Sequence, residues 1–384
     1  MDFKVITNLC GRAAGVAVLV VSFGSPASAQ SLDRLPALGL RADGVTVSGL
    51  SSGAYMAGQF EVAYSASVSG AAILAGGPYG CSRGNVATAS LKCSCPAEES
   101  FALNLAAVFG FGCYVQSPGV YESFADGALQ ANHSDIDDPV NIARHRIWLF
   151  SGGNDAVVAP PLVAATKSFY DRLGVPPQQI HLEHRSDAGH GFPAATAPLP
   201  CDVTAQPFLI KCGAFDAAET LLRWLYPDLP AQPAPVDASA VRRFSQKRYT
   251  SGRFTGLDSR GWIYVPAACE RSGSQCRLHV VFHGCEQGQS FRVASGREYG
   301  RQFVDTTGYN RWAEVGGIVV LYPQVRSSAG TVPFSSQRDN PKGCWDFWGY
   351  STDTADTAPL HFGQRSAPQM RAIKAMIDDL LRSP

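Results

Sequence analysis

A serine between two glycines is the first feature of the sequence that points to chemistry. Residues 49–53 read GLSSG and fit the pattern G-x-S-x-G, with Ser51 at its centre. The β-branched run before the motif predicts a strand and the tail after it predicts a helix, which is the context of a nucleophile elbow. Glycines flank such a serine because a sharp turn leaves no room for side chains. A serine that only caps the helix is the structural alternative, but the preceding strand favours a nucleophile.

A nucleophilic serine needs a histidine base and an acid that holds the imidazole. His190 lies in a glycine-flanked loop, DAGHGF, after a predicted strand, whereas His181 and His184 lie within that strand and are expected to pack or face solvent. Asp155 follows the predicted strand RIWLF, and the resulting order of serine, acid and histidine is that of α/β-hydrolases. Asp187 is the rival acid, but it shares a loop with His190 and is expected to shape that loop.

The oxyanion of an acyl-transfer reaction needs two backbone donors. The amide of Ser52 is expected to be the first, and the second normally comes from a strand upstream of the serine. The matching strand and H-G turn, LHVVFHGCEQG at 278–288, instead lie far downstream. We therefore expect a circularly permuted chain whose two ends are neighbours. The His-Gly-Cys turn at 283–285 could simply be a turn closed by a disulfide, but the Cys285 amide could donate while its sulfur pairs with Cys344.

Strands and helices alternate along the rest of the chain, which is typical of an α/β fold. The sequence predicts a circularly permuted α/β-hydrolase fold with a mostly parallel central sheet flanked by helices. The final helix is expected to present Met370, Ile373, Ile377 and Leu380 on one face. The other predicted strands are 70–77, 146–150, 179–184, 261–266, 278–284 and 317–324, and the other predicted helices are 54–64, 162–173, 217–226 and 302–315.

The composition and the first residues narrow the class of protein. The chain has 384 residues, of which 45% are hydrophobic and 17% charged, and equal numbers of basic and acidic residues give it no net charge. This balance does not favour a nucleic-acid partner. Residues 1–29 have a basic start, an apolar run shorter than the ~20 residues of a bilayer span and a small-residue cleavage site, which is typical of a secretory signal peptide. We expect a secreted protein, extracellular or periplasmic, without membrane attachment after cleavage.

The mature chain, 30–384, is expected to be a single catalytic domain without a separate substrate-binding domain, and a monomer. The proline-rich stretch 227–239 could be an interdomain linker, but we favour an extended crossing of one domain's surface. Residues 78–140 carry little pattern and are interpreted as a functional or lid-like insertion.

Export also determines how the cysteines are interpreted. Without Cys10 the chain has ten cysteines, an even number that indicates disulfides in an oxidising compartment. Short polar loops could be closed by Cys269 with Cys276 and by Cys201 with Cys212, although the sequence does not fix the pairing. The remaining crowded group is interpreted as a stapled surface loop, because no C-x-x-C pair or partnered histidine indicates a metal site. We expect no metal and no cofactor. That group comprises Cys81, Cys93, Cys95 and Cys113.

The ordered set of motifs resembles the polyhydroxybutyrate depolymerases with a circularly permuted, type II catalytic domain. The resemblance covers nearly the whole mature chain and rests on GLSSGAYMA, SGGNDAVVAP, GHGFP, FHGCEQG, LYPQ and GCWDFWGY in this order. It implies an esterase that cleaves poly-(R)-3-hydroxybutyrate to short oligomers or monomer, with a polyester as its partner. The implied roles are a triad of Ser51, Asp155 and His190, an oxyanion hole of Ser52 and Cys285, and substrate binding by Trp345, Trp348 and His283.

Two other functions remain open from the sequence. A feruloyl or acetyl esterase that acts on plant polysaccharide would use similar machinery. A catalytically silent protein that adsorbs a polymer would keep the fold, but the complete set of serine, acid and histidine argues against it. The chain stops soon after its last helix, where extracellular members of the family usually append a polymer-adsorbing domain, so crystalline polymer is a less certain substrate than amorphous granules or oligomers.

Overall fold

The computed structural model of the protein describes residues 31–94, 116–250, 254–271, 273–328, 338–352 and 361–384. The predicted signal peptide, and Cys95 and Cys113 of the predicted stapled loop, lie outside the described residues. None of the helices in the described ranges is both long and apolar enough to span a bilayer.

A nine-stranded sheet forms the centre of the molecule, in the order β1-β9-β10-β12-β11-β2-β3-β4-β5. Its pairs are parallel from β12 through β5 and between β1 and β9, whereas β10 runs antiparallel to both β9 and β12. Strands from both sides of the proline-rich stretch therefore belong to one sheet, in which β9 to β12 form a block between β1 and β2. The sheet strands are β1 (Ser31–Leu32), β2 (Val45–Leu50), β3 (Gly70–Leu74), β4 (Arg146–Gly152), β5 (Ile180–Arg185), β9 (Val241–Ser245), β10 (Arg260–Tyr264), β11 (Arg277–Phe282) and β12 (Ile318–Tyr322).

A small parallel sheet follows β5 along the chain and consists of β6 (Phe192–Pro193), β7 (Leu199–Pro200) and β8 (Leu209–Lys211), in the order β6-β8-β7. It lies within the segment that leads away from His190. The disulfide between Cys201 and Cys212 closes this segment, as the sequence suggested.

Helices cover both faces of the large sheet, because successive side chains of a strand point to opposite sides. The helices are α1 (Ser52–Ala63), α2 (Val86–Leu91), α3 (Pro118–Asn132), α4 (Pro160–Arg172), α5 (Ala217–Leu225), α6 (Gln302–Thr306), α7 (Tyr309–Gly316) and α8 (Pro368–Leu381). Phe282 of β11 contacts Phe60 of α1 on one face, and His279 of the same strand contacts Tyr309 of α7 on the other.

The helix predicted over 302–315 is two helices. Gly308 has a φ of 88°, in the left-handed region that favours glycine, and it separates α6 from α7. The apolar periodicity of the segment continues across this break, which is why the sequence suggested one helix.

The two ends of the described chain lie side by side, as the predicted permutation requires. The amide of Leu38 donates to the carbonyl of Leu380, in the last turn of α8, and the amide of Gly39 donates to that of Arg382, just beyond the helix. The next residues then lead directly into β2. The fold is a circularly permuted α/β-hydrolase fold with disulfide-stapled loops, and the described disulfides are Cys81–Cys93, Cys201–Cys212, Cys269–Cys276 and Cys285–Cys344.

Candidate active site

Ser51 lies at the sharp turn between β2 and α1. Its backbone has φ 57° and ψ −121°, a conformation that side-chain-bearing residues adopt only under strain. The turn is held from both sides, because the Ser51 amide donates to the carbonyl of Leu74 and its own carbonyl accepts from the amides of Ala54 and Tyr55. The side chain is therefore fixed at the carboxyl edge of the parallel sheet.

The two glycines of the motif allow backbone segments to approach closely. A Cβ at Gly49 would lie 2.1 Å from the carbonyl oxygen of Gly53, and a Cβ at Gly53 would lie 2.3 Å from the carbonyl oxygen of Phe282. The second contact is between α1 and the end of β11. Gly53 therefore lets the segment after β11 lie against the nucleophile turn.

Asp155 and His190 form a buried pair. Nδ1 of His190 lies 2.8 Å from Oδ2 of Asp155, and the two side chains are 6% and 1% exposed. The other carboxylate oxygen accepts from the amides of Val157 and Val158, both at 2.8 Å. These bonds orient the carboxylate, so that the Nδ1 proton of His190 faces Asp155 and Nε2 is free to act as a base.

Close packing of two loops brings this pair together. The amide of Gly153 donates to the carbonyl of Arg185, and that of Asn154 donates to the carbonyl of Ala188. A Cβ at Gly153 would lie 2.4 Å from the carbonyl oxygen of Ser186, so a larger residue would push the loops apart. The rival acid, Asp187, has a 59% exposed side chain that lies 4.0 Å from Arg185, and it does not contact the imidazole.

Ser51 and His190 line one cavity of about 420 Å³. Its walls are largely apolar and include Leu50, Val157 and several aromatic side chains. The described contacts include no hydrogen bond between the Ser51 hydroxyl and the imidazole. In hydrolases this bond often tightens only when substrate binds. The cavity brings a strained serine and a carboxylate-oriented histidine to a common apolar space, which is suited to acyl transfer.

Two backbone amides beside Ser51 can receive a negative oxygen. Ser52 is the first residue of α1, so its amide has no acceptor within the helix. Residues Phe282 and Gly49 are register partners of neighbouring parallel strands, so the turn that carries Cys285 begins next to the nucleophile turn. Both Ser52 and Cys285 line the cavity, and the Cys285 amide donates to no group among the described residues.

The residues predicted to bind substrate differ in position. Trp348 lines the cavity. Trp345 and His283 have fully buried side chains behind its wall, where the ring of Trp345 packs against Phe282 and His283. Neither side chain is among the residues that line the cavity, so contact of Trp345 or His283 with substrate stays a prediction.

Three aromatic wall residues were not identified from the sequence. The ring of Tyr55 stacks on Phe347, with centroids 4.5 Å apart, and Phe208 approaches the ring of His190. Phe347 belongs to the GCWDFWGY motif and Phe208 to the disulfide-closed loop after His190. An aromatic residue in either segment could therefore have been predicted to line the cavity. Nothing in the sequence distinguishes Tyr55 from a core residue of α1.

An ion pair also forms part of the cavity wall. Nζ of Lys342 lies 2.8 Å from Oε1 of Glu286, and Gln206 donates to Oε2 of Glu286 at 3.1 Å. Both charged residues line the cavity, and the pair links the segment after Cys285 to the segment before Cys344. Within the described ranges, no group of three or more histidine, cysteine, aspartate or glutamate side chains is arranged to hold a metal ion.

Two sequence relatives of the chain are named as polyhydroxybutyrate depolymerases. The chain is 33% identical over 372 residues to a poly(3-hydroxybutyrate) depolymerase of Delftia acidovorans, across 95% of this chain and 65% of that protein. The chain thus spans slightly less than two thirds of that relative's length. It is 29% identical over 357 residues to a polyhydroxybutyrate depolymerase of Talaromyces funiculosus, across 90% of this chain and 92% of that protein. No protein-family model matches the chain.

Two solved structures share the fold. One is a PHB depolymerase from Penicillium funiculosum, with a TM-score of 0.70 and 27% identity. The other is a PHB depolymerase with a serine-to-alanine substitution in complex with an R3HB trimer, with a TM-score of 0.69 and 27% identity. Each match covers 91% of this chain and 98% of the other.

Proposed function

Because the chain is a homologue of the polyhydroxybutyrate depolymerases in sequence and fold, we propose that it is a serine esterase that hydrolyses poly-(R)-3-hydroxybutyrate or its oligomers to short oligomers and 3-hydroxybutyrate. The observation that carries the proposal is the geometry around Ser51. A strained serine shares an apolar cavity of about 420 Å³ with a histidine that a buried carboxylate orients at 2.8 Å.

The first half of the proposed reaction forms an acyl-enzyme. Ser51 Oγ attacks the ester carbonyl while Nε2 of His190 takes its proton, and Asp155 stabilises the resulting imidazolium. The amides of Ser52 and Cys285 stabilise the tetrahedral oxyanion. When the intermediate collapses, His190 returns the proton to the alkoxide oxygen, and the part of the chain that ends in a hydroxyl leaves.

The second half releases the acyl group. His190 takes a proton from a water molecule, which attacks the acyl carbonyl of the Ser51 ester through a second tetrahedral oxyanion. Collapse of that intermediate returns the proton to Ser51 and frees the carboxylate end of the hydroxyacyl product. These steps use protein groups alone and need no cofactor.

The cavity walls support a chain of uncharged ester units as substrate. Trp348, Phe347, Tyr55 and Phe208 supply apolar and aromatic surface next to Ser51. Such surface favours methyl and methylene groups of a polyester over highly hydrated groups of a sugar. We therefore assign the polyester as the substrate class and expect polymer segments, rather than free carboxylates, to occupy the cavity.

Secretion belongs to the same proposal. The predicted signal peptide and the four described disulfides support an oxidising compartment outside the cytoplasm, extracellular or periplasmic. The catalytic unit is proposed to act as a monomer, with residues 30–384 as its single domain and with residues 227–239 crossing its surface.

The test is incubation of the purified protein and its Ser51→Ala variant with amorphous polyhydroxybutyrate, followed by mass spectrometry of the soluble products. We expect 3-hydroxybutyrate or its oligomers from the wild type alone, and matching circular dichroism spectra for the two proteins. Feruloyl and acetyl esters serve as comparison substrates. Cleavage of those esters without release of hydroxybutyrate would overturn the polyester assignment, and turnover by Ser51→Ala would overturn the nucleophile assignment.

A further inference from the structure

The disulfide-closed loop, residues 201–212, holds the backbone at His190 and on both sides of it. We propose that Thr204, in this loop, is a positioning residue whose hydroxyl holds the backbone amide of His190, so that the imidazole can take the proton of Ser51. This inference rests on the proposed function, because it assigns a role within the same ester hydrolysis.

Three hydrogen bonds attach the backbone around His190 to the disulfide-closed loop. The amides of Gly189 and Phe192 donate to backbone carbonyls of the loop, at 2.8 Å and 2.9 Å. Between them, the amide of His190 donates to Oγ1 of Thr204 at 2.8 Å. Only this middle acceptor is a side chain, so it is the one that a substitution can remove while the loop keeps its backbone groups.

The two segments approach each other so closely that a glycine is needed before the histidine. A Cβ at Gly189 would lie 2.9 Å from Oγ1 of Thr204 and 2.8 Å from the carbonyl oxygen of Asp202. His190 is only 5% exposed, and a buried amide that loses its acceptor keeps the full cost of its desolvation. Loss of the Thr204 hydroxyl would therefore favour a displacement of the His190 backbone.

The loop can position the histidine because it is itself fixed by residues that follow β11. Gln287 and the hydroxyl of Tyr299 both donate to the carbonyl of Pro207, each at 2.9 Å. Gln206 donates to the carbonyl of Glu286 at 2.9 Å. Together with the disulfide at its ends, these bonds make the threonine hydroxyl a stationary acceptor.

His190 is then held at its backbone, at one ring nitrogen and at its ring. Thr204 holds the amide, and Asp155 holds Nδ1 at 2.8 Å. The ring of Phe208 meets the imidazole at an interplanar angle of 75°, with centroids 6.2 Å apart. These contacts determine where Nε2 lies relative to Ser51. A displacement of a reacting group by about 1 Å can cost about 100-fold in rate.

Three variants separate this role from ordinary packing. Thr204→Val keeps the shape of the side chain and removes the acceptor. Thr204→Ser keeps the hydroxyl and removes the methyl group. Thr255→Val is the matched control, because the buried Thr255 hydroxyl also accepts a backbone amide, that of Leu257 at 3.2 Å. Thr204 lines the active-site cavity, whereas Thr255 is not among the residues that line it.

The first measurement is steady-state hydrolysis of p-nitrophenyl butyrate. We expect Thr204→Val to lower kcat by about 10- to 100-fold with little change in KM, because the base is displaced while the cavity keeps its shape. Thr204→Ser should keep kcat within about threefold of the wild type. Thr255→Val should lose thermal stability while keeping kcat within about twofold.

The second measurement reports the position of the imidazole without substrate. The Nδ1 proton of His190 bonds a carboxylate, so it should give a proton NMR signal far downfield, which His190→Ala identifies by its loss. We expect this signal to shift or disappear in Thr204→Val and to stay in place in Thr204→Ser and Thr255→Val. A purely structural loss of stability would leave it unchanged in the folded protein.

An unchanged kcat or an unchanged Nδ1 signal in Thr204→Val would overturn the inference, and so would an equal loss of kcat in Thr204→Ser or Thr255→Val. If Thr204→Val does not fold, Thr204→Ala replaces it, since alanine also lacks the acceptor and is smaller. A wild type that cleaves p-nitrophenyl butyrate but no hydroxybutyrate oligomer would refute the polyester assignment while the Thr204 comparison still stands. A wild type that cleaves neither ester refutes both proposals.

Discussion

Ser51, the proposed nucleophile, has an unfavourable backbone conformation. Its φ of 57° and ψ of −121° fall where glycine is accommodated and a side chain is not. The bonds to Leu74, Ala54 and Tyr55 hold the turn in this conformation. Such strain is characteristic of functional sites, because the surrounding fold must compensate for it.

Replacing Ser51 by glycine should therefore stabilise the protein while removing activity. We expect Ser51→Gly to be more stable than Ser51→Ala by about 1 kcal/mol, because the alanine variant keeps the strained Cβ. Urea denaturation of the two inactive variants measures the difference. An alanine variant as stable as the glycine variant would show that the turn stores no such strain.

The sequence predicted which residues of the candidate site come together, but not which of them are exposed. Ser51, Asp155 and His190 were identifiable because glycine-rich loops after predicted strands bring reactive side chains to one edge of a parallel sheet. Trp345 and His283 occur in the same motifs, yet they lie behind the cavity wall. Exposure depends on how separate loops stack, which local sequence does not determine.

At the scale of elements, one carboxylate organises the aromatic wall of the cavity. Oδ1 of Asp346 accepts from the amides of Trp348, Gly349 and Tyr350, and Oδ2 accepts from the amide and hydroxyl of Ser351. Burial raises the pKa of Asp346, while these donors act against the shift. The turn therefore presents Trp348 to the cavity through bonds to a single fully enclosed side chain.

Asp346→Asn should loosen this wall. The amide NH₂ of asparagine would face donors that now bond a carboxylate oxygen, at a cost of about 1–3 kcal/mol in unfolding free energy. We expect a lower melting temperature and a higher KM for hydroxybutyrate oligomers. Ser351→Ala is the control, because it removes one donor and should have a smaller effect on both quantities. Unchanged KM in Asp346→Asn would show that the turn does not shape the binding surface.

Periodicity predicted the buried strands and missed elements without a clear apolar pattern. The strand β9 reads VRRFS and lies between β1 and β10, and its two adjacent arginines hide the alternation. The helix α3 lies in the region interpreted as insertion, where buried residues such as Tyr121, Ala125 and Ala128 are widely spaced and mostly small. Segments with such a weak apolar pattern form a strand or helix only when a neighbouring element packs against them.

At the scale of the whole molecule, a polar network in the interior links the two parts of the permuted chain. His279 of β11 bonds the hydroxyls of Thr46 and Ser48 on β2, and Ser48 also contacts the hydroxyl of Tyr309. The permutation was predictable because the H-G turn follows the triad in sequence. The network was not, since strand adjacency alone does not show which polar side chains meet between strands.

These buried histidines predict acid sensitivity. Burial lowers the pKa of His279 from 6.5 to about 3 and that of His283 to about 4. Below 6.5 the unfolded chain binds protons that the folded chain does not, so their stabilising contribution is complete above that pH and is lost as the pH falls toward the folded pKa. Each histidine can lower the unfolding free energy by about 1.4 kcal/mol per pH unit in this range.

Urea denaturation across this pH range, for the wild type and His279→Phe, isolates one of these groups. Other titrating groups contribute to both proteins and cancel in the difference. We expect the unfolding free energy of the variant to fall less steeply than that of the wild type as the pH is lowered. The difference in slope should be at most the contribution of one bound proton. Parallel stability curves for the two proteins would show that His279 remains able to take up a proton in the folded state.

The most direct test of the central claim is the detection of an acyl group on Ser51 during turnover. The wild type is mixed with a soluble 3-hydroxybutyrate oligomer, quenched in acid within the first turnovers, digested and analysed by mass spectrometry. We predict a hydroxybutyryl or short oligomeric acyl group on the peptide that contains Ser51, and none in Ser51→Ala. Product release without any acyl group on that peptide, or equal labelling of the alanine variant, would contradict the assignment of Ser51 as the nucleophile of a polyester hydrolase.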